Sequence, residues 1–224
     1  MFKNFPGKHL FKAGVTALSL TMVMGQASAT TIDFNAIPSG TILQQSGLPG
    51  TPLVTNGFQI TAAGFSSGVG NTNSGNPALP DNGTNFLFGS NTQFTFTALD
   101  ASPFSLSSFD AAEFQLGRTD TFASEIRVTG VFGDFSTVVQ FFDLDFIHDG
   151  PGGEEDFQTF FTSGFDDIVA LRIVGLNGVR ARNYSLDNIV FASEGTASVP
   201  EPGALALLSL GLLGLGAVRR KRTS

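Results

Sequence analysis

The chain contains no cysteine and no tryptophan, a single tyrosine and two histidines. Without cysteine it can form no disulfide framework, no thiolate metal site and no thiol nucleophile. Its stability must come from a packed core, with an oxygen-bound ion as the available aid. Histidine is nearly as scarce. His9 lies in the basic leader, so a Ser-His-Asp triad would need His148. That residue sits in the acidic, glycine-rich stretch 148–156, which reads as a solvated turn. No nucleophile elbow, no H-E-x-x-H and no phosphate-cradling glycine loop opening a helix is offered. No catalytic residue is assigned. A carboxylate-pair, glycan-active enzyme stays open only because carboxylates are plentiful.

Lysine is missing from the body. Between Thr30 and Ser198 there are 5 arginines against 18 carboxylates, a difference of −13. Such a body repels nucleic acid and anionic lipid, and suits cations, neutral glycans or simple solvation. The remaining cations lie at the two ends. Lys3, Lys8 and Lys12 precede the apolar run 13–24, and Ala27-Ser28-Ala29 follows it. Basic segment, apolar helix and small residues in that order form a secretory signal over residues 1–29. Signal peptidase is expected to read Ala27 and Ala29 and cut after Ala29.

At the other end, Val199-Pro200-Glu201-Pro202 leads into the apolar run 204–218 and then Arg219-Arg220-Lys221-Arg222. As a helix those 15 residues extend about 22 Å, short of the roughly 30 Å hydrocarbon core. Snorkelling arginines and local thinning close the gap. The basic cluster stays in the cytoplasm and the signal sends the body across, so both ends specify one topology. Prolines on both sides of Glu201 hold that segment extended.

The body, 30–192, reads as strands. Short apolar runs at 57–61, 92–96, 124–128, 138–142 and 169–173 are separated by Gly, Asn, Asp, Pro and Ser clusters. Phe94 and Phe96, Ile126 and Val128, and Leu171 and Ile173 alternate with polar or small neighbours, the period of half-buried antiparallel strands. Nine or ten strands are expected, packed as a two-sheet sandwich of jelly-roll or Greek-key type, with one helix in each terminal segment. Residues 64–84 read as a long irregular loop containing an Asn82-Gly83 turn. Residues 193–198 read as a linker to the 199–224 tail. Asp143 and Asp145 fall two apart and share one strand face, beside a solvated acidic loop.

The tail resembles a PEP-CTERM sorting signal: the Pro-Glu-Pro motif, a short apolar helix and a basic end. The resemblance covers about 25 residues. It implies recognition by an exosortase, a membrane-embedded transpeptidase, with Val199, Pro200, Glu201 and Pro202 as the residues read. It also implies a transient stay at the inner membrane, then transfer to the cell surface or an exopolysaccharide matrix. The body is similar to the sandwich domains that commonly precede such tails at Thr31-Ile32-Asp33-Phe34, Pro38-Ser39-Gly40-Thr41, 104–110 and Tyr184-Ser185-Leu186-Asp187-Asn188-Ile189-Val190-Phe191, and the last of these motifs is similar to the final strand of jelly-roll carbohydrate-binding modules. That resemblance implies a structural calcium held by Asp187 of the closing strand, with Asp33 of the first strand able to approach it. It also makes Tyr184 the candidate for stacking a sugar, although a body with one tyrosine and no tryptophan has few such platforms. Three readings stand: a structural surface or matrix protein, a calcium-stabilised carbohydrate-binding module, and a glycan-active enzyme.

Overall fold

Alternation of phenylalanine and β-branched residues with polar ones produces strands that each bury one face. The computed structural model describes residues 29–71, 79–115, 121–147 and 156–193. It contains β1 (Ala29–Ile32), β2 (Ile42–Gln45), β3 (Leu53–Thr55), β4 (Phe58–Asn71), β5 (Asn85–Ala98) and β6 (Phe104–Glu113). These are followed by β7 (Glu125–Phe132), β8 (Thr137–Asp143), β9 (Gln158–Phe161), β10 (Ile168–Asn177), β11 (Arg180–Ala181) and β12 (Tyr184–Ser193). No helix occurs among the described residues. The expected signal helix and tail helix, with Ala27, Val199–Pro202 and Arg219–Arg222, lie outside them, as does the 194–198 part of the linker.

The body is the expected all-β antiparallel sandwich. Its two sheets are joined by one long hairpin. In its first half, β4 (Ser66–Asn71) pairs with β5 (Asn85–Ser90), and β5 there lies beside β12. This sheet runs β2-β4-β5-β12-β6-β9, with β1 beside the far half of β12. In its second half, β4 (Phe58–Gly64) pairs with β5 (Thr92–Ala98), and β5 there lies beside β10. That sheet runs β3-β4-β5-β10-β7-β8, with β11 beside β10. The changeover falls between Gly64↔Thr92 and Ser66↔Ser90. Here Asn91 takes a left-handed backbone, φ 48°. A Cβ on Gly64 would lie 2.3 Å from Asn91 O and 2.5 Å from Thr92 Cα. Glycine is needed there because the two backbones cross in contact.

Residues 64–71 therefore belong to a strand, which corrects the expected 64–84 loop. Ser66, Ser67, Gly68 and Gly70 carry no apolar alternation. Their pairing with β5 holds them, and residues 72–78 of the expected loop lie outside the described set. The turn at Asn82-Gly83 is present, with Gly83 at φ 76° and its N–H donated to Asp81 Oδ1.

The core draws on both sheets. The predicted alternating pairs are all buried: Phe94 and Phe96, Ile126 and Val128, Leu171 and Ile173. Register aligns them into rows, since Ile173 sits opposite both Phe94 and Val128. Phe58 stacks on Phe191 at 4.2 Å, and Phe104 meets Phe191 edge-on at 5.2 Å. Phe109, Phe142 and Phe160 form a second group with centroids 5.2 to 5.5 Å apart. Phenylalanine thus fills the space that tryptophan would fill in a comparable sandwich.

Candidate functional site

The closing strand β12 carries Tyr184, Asp187 and Asn188, so the site is built outward from it. Tyr184 is fully buried. Its hydroxyl lies 2.8 Å from Ile173 O and 3.1 Å from Thr92 O, and its one hydrogen is shared between those carbonyls. Burial pushes the phenol well above its usual pKa. Gly175 makes room for the ring, since a Cβ there would fall 2.6 Å from Tyr184 Cδ1. The hydroxyl ties the closing strand of one sheet to β10 of the other. Tyr184 is therefore unavailable to a sugar, which corrects the expectation of glycan stacking at this residue.

Asp187 is also buried. Its Oδ2 accepts from Asn82 Nδ2 at 2.7 Å and lies 2.9 Å from Thr84 Oγ1, while Oδ1 accepts from Asn188 N at 2.8 Å. Thr84 Oγ1 is also 2.8 Å from Asn82 Oδ1, so its hydrogen is shared. Desolvation raises the Asp187 pKa to about 6, partly countered by these donors. Directly across the ladder stands Asp110, also a carboxylate. Like charges opposite one another destabilise a sheet. Asn188 intervenes, giving its backbone N–H to Asp187 and its side-chain amide to Asp110 Oδ2 at 2.8 Å. It can reach both because β12 bulges there. Register passes from Asp187↔Asp110 to Val190↔Ser108, one residue longer on β12, with Asn188 at φ 45°. Asp110 Oδ1 accepts from Thr159 Oγ1 at 2.6 Å.

Calcium requires six to eight oxygens. The groups that face Asp187 present hydrogens instead: an amide NH2, a hydroxyl and a backbone N–H. Asp33, just beyond β1, accepts from Asn35 N at 3.3 Å. Among the described residues, no three Asp, Glu or His side chains gather to hold a metal. The donor set around Asp187 fits a hydrogen-bonded carboxylate and does not fit calcium held by Asp33 and Asp187.

Several polar residues of this region carry no sequence signal. Glu113, opposite Tyr184 in register, is buried and accepts from Phe146 N at 2.6 Å. Desolvation raises its pKa to about 7. Asp156 Oδ2 accepts from Asp81 N at 2.7 Å. Asp145 lies past the end of β8 and caps Ile147 N at 3.0 Å, so it does not share a strand face with Asp143. The partners of Glu113 and Asp156 lie 33 and 75 residues away in sequence, beyond the reach of any local pattern. The spacing G-x-S-x-G does occur, at Gly64-Phe65-Ser66-Ser67-Gly68, but inside paired strand β4. A nucleophile elbow needs a strand-to-helix turn. His148 lies outside the described residues.

No curated protein matches the chain. Among solved structures, a DUF4465 family protein from Bacteroides caccae aligns at TM-score 0.51 and 12% identity, over 75% of this chain and all of that one. The K2 cleaved adhesin domain of Lys-gingipain aligns at 0.46 and 11%, over 74% of this chain and all of that domain. CBM32-3 from a family 31 glycoside hydrolase of Clostridium perfringens aligns at 0.30 and 11%, over 58% of this chain and 76% of that one. The likeness to the first shows the sandwich fold alone. Residues 198–221 match the PEP-CTERM protein-sorting motif. The chain thus joins an all-β sandwich domain to a PEP-CTERM sorting signal.

Proposed function

We propose that this protein is exported through its 1–29 signal and held briefly at the inner membrane by its 199–224 tail. An exosortase then processes it and delivers it to the cell surface or an exopolysaccharide matrix. The β-domain acts there as a non-catalytic structural or binding module. The observation that carries this reading is the PEP-CTERM match at 198–221. The domain's chemistry is consistent with it, because the buried carboxylates of β6 and β12 are engaged in hydrogen bonds to adjoining loops and to their own strand. The acidic, lysine-free body suits an extracellular role and disfavours nucleic acid as a partner.

Cell fractionation tests the proposal. Glu201→Ala should leave a longer chain in the inner-membrane fraction, while the wild-type β-domain leaves it. Equal distribution of the two would refute the sorting role of the motif.

A further inference from the structure

A strand at the edge of a sheet presents unpaired N–H and C=O groups to any strand that can lie beside it. Most edge strands of this domain are short. β1, β2 and β9 have four residues each, β3 has three and β11 two. The pairing of β2 is further broken by a register shift between Ile42 and Gln44. The end strand β8 is different. It has seven residues, with no lysine and no proline. Its pairing with β7 runs from Glu125↔Asp143 to Val131↔Thr137 without a register shift. Natural sheets blunt their edges with short strands, lysine, proline and bulges, and β8 has none of these. Among the described residues it pairs with β7 alone.

The two ends of the β7–β8 ladder fix which groups point outward. Phe132 N donates to Ser136 O at 2.9 Å, and Leu144 N donates to Ser124 O at 3.0 Å. Hydrogen-bonded pairs alternate along an antiparallel ladder. Val138, Gln140 and Phe142 therefore bond β7, while Thr137, Val139, Phe141 and Asp143 turn their N–H and C=O groups to the other side. Their side chains share the sheet face directed away from the core. That flank is open. Val139 is 45% and Phe141 56% exposed, whereas their β7 neighbours Thr129 and Arg127, with strands on both sides, are half-buried. Gln140 points to the opposite face and donates through Nε2 to Ser163 O and Oγ, each at 3.1 Å. After β8 the chain turns across the end of the sandwich, with Asp145 N donated to Gln158 Oε1 and Phe146 N to Glu113 Oε1.

The strand is complementary to itself. When a second β8 lies antiparallel beside it about a two-fold axis at Gln140, Val139 of each copy falls opposite Phe141 of the other. Thr137 falls opposite Asp143. Aromatic and β-branched residues are favourable cross-strand pairs. The residues paired in this register are the four with outward backbone groups, so it also forms about eight N–H···O bonds. Asp143 is the one charged residue of β8. It meets a threonine, and the two Asp143 carboxylates stay about 20 Å apart. We infer that this protein forms a two-fold dimer through β8, which joins the β3-β4-β5-β10-β7-β8 sheets of two copies into one. A foreign peptide would find the same backbone groups, but the reciprocal Val139–Phe141 pairs single out a second copy of this chain. Seven residues of strand extend about 23 Å, which makes a small interface of about micromolar affinity.

Sedimentation velocity of the full chain in detergent, in a concentration series up to about 100 µM, tests it. The wild type should sediment as a dimer at the upper end. Val139→Lys and Phe141→Lys should each sediment as a monomer there, because lysine blocks an edge strand. Both side chains are exposed. The two variants should therefore melt within about 3 °C of the wild type diluted to its monomer. Val179→Lys, at an exposed residue between β10 and β11, should leave the dimer intact. Because the chain has no cysteine, Gln140→Cys supplies one thiol per copy. Two such residues on the axis have Cα atoms about 4.5 Å apart, within disulfide range, and oxidation should link them. Val179→Cys should stay unlinked. A wild type that is monomeric throughout would overturn the inference, as would a dimer that survives both lysine variants. A lysine-sensitive dimer that Gln140→Cys fails to link would overturn the two-fold register. None of these readouts involves tail processing, so a failure of the sorting proposal would leave them readable.

Discussion

At the scale of single residues, several buried polar groups of the body carry a defined structural task. Tyr184 illustrates this. Its hydroxyl serves Ile173 O and Thr92 O across the sandwich. Tyr184→Phe should lower stability by about 1–2 kcal/mol, read as an earlier urea midpoint with unchanged m-value. Glu113 and Asp187 give the domain a defined pH response. Both are raised by burial, from 4.5 to about 7 and from 3.8 to about 6. The folded state therefore holds protons that the unfolded chain has already released. Their contribution is fully present below the unfolded values and is lost as pH rises through about 6 and 7. Asp100 and Asp134 are shifted the opposite way, lowered by donors from Ser102 and Ser136, but both are fully exposed turn caps with little leverage. Melting temperature should thus fall between pH 4.5 and 7.5. Glu113→Gln should flatten the upper part of that slope. A second consequence concerns calcium. Since the neighbours of Asp187 present hydrogens, chelator should leave the melting temperature unchanged, whereas a drop of several degrees would restore Asp187 as a calcium ligand.

At the scale of elements, the decisive piece is the long β4–β5 hairpin that serves both sheets. Its hinge requires the backbones of Gly64 and Asn91 to touch. Gly64→Ala places a methyl group against backbone atoms that cannot rotate away. It should cost about 1–3 kcal/mol, seen as a melting temperature lower by roughly 2–4 °C for each kcal/mol. The hairpin also shows what sequence could and could not convey. Strands with strict alternation, at 92–96, 124–128 and 169–173, were legible because one face is core and the other is not. The 66–71 half of β4 was illegible. Serine and glycine give no periodic signal, and its pairing is dictated by β5. The Tyr184–Phe191 motif was legible as a closing strand, yet its chemistry was not. A tyrosine hydroxyl and an Asp-Asn pair suggest a surface site when their partners are unknown. In the fold those partners are Ile173, Thr92 and Asp110 on other strands and Asn82 and Thr84 in the turn before β5.

At the scale of the whole molecule, the two ends and the body have separate tasks. The tail's sorting motif was legible because it is written in local order, Pro-Glu-Pro, apolar, basic, and the basic, apolar, small order of the other end is what motivates the proposed export signal. Every lysine falls in those two segments. Processing at both ends would leave an acidic β-domain without lysine, soluble by charge and held together by phenylalanine packing. On this reading the 198–221 motif is a signal to be processed. Intact-mass spectrometry of the protein recovered from cells with and without the exosortase tests this most directly. A mature form ending near Val199–Pro202 is expected when the enzyme is present, and a form retaining Arg219–Arg222 when it is deleted. A basic C-terminus retained in both strains would contradict it.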